Sequence, residues 1–166
     1  MEIEIKIPQS IDSTYDGYSK LLEIFKCFLE PPEKLKLVVM NFRGNTWFEA
    51  NLLPIVYAFV EYGYEIFQIE SGYDNQTGCK LHKLLIRNNF ARECFGLPYK
   101  PRMRESAVPF KIFKASNTYG FGSYIDSELV RYFPNMENNV KRDLSIFVQE
   151  LFGNAQIHGN CNKVYT

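Results

Sequence analysis

Charged and apolar residues alternate strictly through Glu2, Ile3, Glu4, Ile5, Lys6 and Ile7, the two-residue period of a half-buried strand, and Pro8 ends the run. The period then changes. Tyr18, Leu21, Leu22, Phe25, Phe28 and Leu29 recur at helical spacing within residues 15–29, with Ser13 or Thr14 as the cap and Pro31 and Pro32 as the stop. Leu37, Val38, Val39 and Met40 form a continuous apolar run, which predicts a strand over 35–42 covered on both faces. A second helix is expected over 51–62, with Pro54 tolerated in its first turn and Gly63 ending it in the left-handed conformation. Residues 65–69 read as a third strand. Residues 77–89 read as a third helix with Leu81, Leu84 and Leu85 on one face.

This alternation of strand and helix predicts a sheet with helical crossovers that is complete near residue 97. Between residues 96 and 104 prolines gather with Lys100, Arg102 and Arg104, and the apolar periodicity lapses. We expect a solvated linker there, dividing the chain into domains of residues 1–97 and 98–166. The pattern resumes with a strand over 108–113, a helix over about 120–133 broken by Pro134, and a long helix over about 136–158. In that last helix Val140, Leu144, Phe147, Val148, Leu151 and Ala155 make one apolar stripe, which must pack on a sheet or another helix.

Composition narrows the function classes. The 19 basic and 19 acidic residues cancel, so no global field points to nucleic acid or to an anionic membrane. No basic start leads into an apolar run, and no stretch reaches the roughly 18 apolar residues of a membrane span, so a cytoplasmic protein is expected. Cys27, Cys79, Cys94 and Cys161 form no CxxC pair, which suits a reducing compartment. Cys79-x-x-His82 and His158-x-x-Cys161 together would be a legal zinc set, although they fall in different expected domains and ordinary thiols and imidazoles account for them more simply.

Glu150, Asn154 and His158 follow one another at spacings of four and form a polar row beside the apolar stripe. A carboxylate one turn from a carboxamide suits a phosphate-bound cation: the amide oxygen can ligate magnesium, and the carboxylate can orient or deprotonate a nucleophile. The wider string from Glu150 to Gly159, ELFGNAQIHG, resembles the N-box of the GHKL superfamily, closest to the E-x-x-x-N-A-x-x-H-G form of anti-sigma-factor kinases. The resemblance implies an ATP site in which Asn154 is the magnesium ligand, Glu150 activates the attacking group, and His158 and Gly159 end the helix beside the nucleotide. Such sites also use a D-x-G-x-G element and a glycine-rich lid, which the seven residues after Gly159 do not supply. The chain as it stands is therefore expected not to be a working ATPase.

The first domain carries a resemblance of its own. LVVMNFRGNTWFEANLLP, residues 37–54, is similar to the strand, loop and helix start of STAS domains, the fold of anti-sigma-factor antagonists, and LLIRNNF, residues 84–90, is similar to their later helix and its exit turn. Signalling STAS domains begin that helix at a phosphorylatable serine. Here Glu49, Ala50 and Asn51 stand in its place, so the switch is absent, with Thr46 or Ser71 as improvised substitutes. The resemblances together imply an α/β chain: a STAS-like mixed β-sheet flanked by helices, then the first strand and helices of an incomplete GHKL α/β sandwich. They also imply a bacterial signalling protein that docks a protein partner and uses ATP and Mg²⁺ once its nucleotide domain is complete, with a homodimer left open. The competing reading is a pure interaction module. Trp47, Phe48, Tyr57, Phe59, Tyr62 and Tyr64 would then provide part of its surface.

Overall fold

The computed structural model describes residues 1–74, 80–97 and 108–166. The chain is an α/β protein that divides into two compact units, Met1–Arg102 and Met103–Thr166.

In the first unit, strands β1 (Glu2–Lys6), β3 (Leu37–Asn41) and β5 (Glu70–Tyr73) form one sheet with β3 in the centre. The segments expected at 2–7 and 35–42 share this sheet, but the one expected at 65–69 does not: residues 65–67 are the last turn of the second helix, and the strand that takes the third place is Glu70–Tyr73. The strand pairing is parallel throughout, with Glu2 opposite Leu37 and Leu37 opposite Glu70, where a mixed sheet was expected. The reason is the helical crossover between successive strands: a chain that returns through a helix re-enters in the same direction. A short parallel ladder of β2 (Ser10–Ile11) and β4 (Trp47–Phe48) lies next along the chain from β1 and β3. On β3, burial alternates. Val38 and Met40 are fully buried whereas Leu37 and Val39 are half-buried, so one face alone is sealed, not both.

Helix α1 (Tyr15–Leu29) begins at Thr14, whose hydroxyl accepts from the Gly17 N–H at 3.2 Å. It buries Leu21, Phe25 and Phe28 and leaves Leu22 and Leu29 exposed. Helix α2 (Leu53–Phe67) follows a short 3-10 turn, Ala50–Leu52, and runs past Gly63, the residue expected to end it. Gly63 is buried where α1 and α2 pack: a β-carbon there would sit 2.4 Å from Phe28 Cδ1. The glycine serves close approach, and Gln68, with φ of 58°, makes the left-handed exit. The third strand accordingly begins at Glu70 instead of residue 65. Helices α3 (Lys80–Arg87) and α4 (Phe90–Phe95) complete the unit, separated by Asn89 at φ of 68°. The expected helix start at residue 77 lies outside the described residues.

The second unit is built on an antiparallel pair, β6 (Ile112–Lys114) and β7 (Lys163–Tyr165). Between them come α5 (Thr118–Tyr124), a π-type turn at Ile125–Leu129, a 3-10 turn at Val130–Tyr132, and α6 (Asn138–His158). Asn117 caps α5 by accepting from the Gly120 N–H at 2.9 Å. Phe113, Phe121, Tyr124, Ile125 and Phe152 form the core, and the Phe121 and Phe152 rings stack with centroids 4.1 Å apart.

No helix among the described residues is long and apolar enough to cross a membrane.

Candidate functional site

Helix α6 carries Glu150, Asn154 and His158, and Gly159 is its C-cap. Its buried face is centred on Phe152, 3 % exposed, with Val148 packed beside it. The expected stripe is rotated away from this: Val140, Phe147 and Leu151 are 45, 58 and 51 % exposed. Stacking on Phe121 decides the rotation, because the larger flat contact turns Phe152 inward and swings its neighbours out.

Glu150 is two residues from Phe152, about 200° round the helix, and Asn154 is about 200° round in the other sense, so both lie on the face opposite the core. Glu150, Asn154, His158 and Gly159 are all exposed. The row therefore lies on open surface, and the side chains of Glu150 and Asn154 make no hydrogen bond to any described residue. Gly159 caps α6 through its N–H on the Ala155 carbonyl at 3.1 Å, and a β-carbon there would meet that same oxygen at 2.5 Å. The glycine thus has a structural reason at the helix end. Cys161 gives its thiol to the Ala155 carbonyl at 3.0 Å.

Of the considered zinc set, Cys79 lies outside the described residues, and His82 Nδ1 pairs with the Tyr73 hydroxyl at 2.7 Å beneath a stacked ring. Among the described residues no group of three or more His, Cys, Asp or Glu is placed to hold a metal ion.

The first unit contains a cavity of about 410 Å³, bounded by residues 46–51 and by Leu81 and Leu84 of α3. The segment leading from β4 into α2 thus forms one wall. It is the segment with Glu49, Ala50 and Asn51, where the STAS resemblance leads to the expectation of a phosphorylatable serine. Glu49 is fixed from behind, because Ser13 donates both its N–H, at 2.9 Å, and its hydroxyl to Glu49 Oε2. Nearby, the Thr14 hydroxyl donates to Asp12 Oδ1 at 2.5 Å, and this bond is the main reason the Asp12 carboxyl is held below its usual range.

The two improvised phosphoacceptors differ. Thr46 is exposed, with its hydroxyl on the Gln9 carbonyl at 3.0 Å, whereas Ser71 is half-buried and gives its hydroxyl to the Cys94 carbonyl at 3.2 Å. Burial drives the Cys94 thiol far above its ordinary range.

The cavity was not legible from the sequence because its walls come from two segments, 46–51 and 81–84, far apart along the chain. The run of Trp47 beside Phe48 was its single signal, and that run also fits a core. Compared with protein-family models, curated proteins and solved structures, the chain matches none. The class that the fold defines is thus a two-unit α/β protein.

Proposed function

We propose that this is a regulatory ATP-binding protein in which a STAS-like unit docks a protein partner and α6 supplies the magnesium ligand of a GHKL-type nucleotide site. The observation that carries the reading is the placement of Glu150, Asn154 and His158 on successive turns of the open face of one 21-residue helix. Among the described residues, the two oxygen-bearing side chains have no competing partner. Hard oxygen donors suit magnesium, and one carboxamide with one carboxylate is too small a set for a free-standing ion. The residues fit an ion whose remaining ligands are phosphate oxygens and water. When bound, the ion would neutralise phosphate charge. Asn154 would hold its oxygen towards that ion, Glu150 would orient or deprotonate the attacking hydroxyl, and Gly159 would let the chain turn away at the helix end.

Calorimetry with Mg-ATP tests this. The 166-residue chain should bind weakly or not at all, and a chain extended through a D-x-G-x-G element and a lid should bind and lose binding on Asn154→Ala. An indifferent Asn154→Ala in the longer chain would reduce the motif to a surface helix.

A second reading, an interaction module without nucleotide chemistry, is favoured by one feature. Val140, Phe147 and Leu151 stand exposed beside the polar row, as they would on a helix that meets another protein. Extended chains that fail to bind ATP while retaining a stoichiometric protein partner would select it.

A further inference from the structure

The cavity of the first unit has one charged residue among its described lining, Glu49. Ser13 holds that carboxylate through Oε2 from the side of the β2–α1 turn, and Oε1 has no partner among the described residues. A preset carboxylate with a free oxygen, beside apolar walls, repels anions and attracts a cation. Trp47 adds to this. It lines the cavity while 59 % exposed, so its indole is open to an approaching ligand, and an aromatic face favours positive charge. Phe48, Ala50, Leu81 and Leu84 supply apolar wall, and Thr46 and Asn51 add uncharged polar groups. A volume of about 410 Å³ accommodates a ring with a short side chain.

We propose that the cavity bounded by Trp47, Glu49 and Leu84 is a binding site for a small organic cation, an aryl- or alkyl-ammonium whose apolar body lies on Phe48, Leu81 and Leu84 and whose charge meets Glu49 Oε1 and the Trp47 ring. The site is independent of α6 and of any nucleotide. Its ligand is defined by charge complementarity: the same body carrying a carboxylate is repelled, and the same body without charge loses the Glu49 contact.

Trp47 is the chain's single tryptophan, so its emission reports directly on occupancy. The full chain is titrated with phenethylammonium, with phenylethanol as the neutral analogue and phenylpropionate as the anionic one. The amine should change the emission saturably and bind about tenfold or more tighter than either analogue, as a charge-assisted hydrogen bond implies. Glu49→Gln should bring the amine down to the affinity of the alcohol. That variant keeps an oxygen for Ser13 to donate to, and Ser13→Ala, which keeps the Glu49 charge, should retain the amine affinity of the parent, separating charge from local folding. No saturable response, equal affinity for the three compounds, or unchanged amine binding in Glu49→Gln overturns the proposal.

Discussion

Ser13 donates its backbone N–H and its hydroxyl to the same carboxylate oxygen of Glu49, 36 residues away. The bond pair ties the turn before α1 to the segment entering α2, two of the places where the chain crosses from strand into helix. Each side of the tie is local and polar, and neither announces its partner.

Glu49→Ala should therefore destabilise the first unit by about 1 kcal/mol, the usual net worth of a hydrogen bond, with the charge contribution discounted because the pair is partly in water. Ser13→Ala should cost less, since its N–H still donates. Urea unfolding followed by Trp47 emission measures both. Equal losses would mean that the hydroxyl, not the carboxylate, holds the tie.

Gly63→Ala separates propensity from packing. Alanine gains about 1 kcal/mol over glycine inside a helix, but here its methyl group would press on Phe28, which is fully buried. Overpacking of this kind costs about 1–3 kcal/mol, so net destabilisation is expected. Combining it with Phe28→Leu should recover part of the loss. A more stable Gly63→Ala would show that α1 and α2 separate easily.

Burial raises the Tyr124 phenol above the usual phenol range, with Glu128 and Tyr132 acting in the same direction and Thr166 opposing. The group is neutral in both states below that range, so it imposes no pH dependence there. Above it, the unfolded chain loses the proton before the folded one, and stability should fall with rising pH. Tyr124→Phe should flatten this alkaline slope while giving up the hydrogen bond to the Pro109 carbonyl at 3.0 Å, which lowers stability at neutral pH. Denaturant midpoints at pH 8 and above pH 10 decide it, and an unchanged slope would place the proton loss elsewhere.

In a nucleotide-competent longer chain, Glu150→Ala and Asn154→Ala should part company. Asn154 would contribute to ground-state affinity, so its loss weakens binding; Glu150 would act on the nucleophile, so its loss leaves binding and stops turnover. Loss of binding in both, together with a drop in helicity by circular dichroism, would point to a damaged α6.

The bounds of α1 and the existence of α6 were legible because each has a periodic apolar pattern with a residue that stops or caps it: Thr14 before α1, Pro31 and Pro32 after it, and Gly159 after α6. The end of α2 was misread at Gly63, since a glycine that ends a helix and one that admits a neighbouring helix look alike in a string of letters. Strand β7 passed unassigned: three residues carry no usable period, and their pairing partner lies about 50 residues upstream.

The sequence by itself determined the alternation of strand and helix, the strands β1 and β3, and the row Glu150, Asn154 and His158 on one helix, because these depend on contacts within a few residues of chain. Tertiary structure alone decided the rotation of α6 about Phe152, the exposure of that polar row, and the cavity beside Glu49. Each of these depends on which distant side chain fills a given space: Phe121 for the helix, and Ser13, Leu81 and Leu84 for the cavity. Close packing fixes such choices by shape, and shape is shared between segments that no local pattern connects.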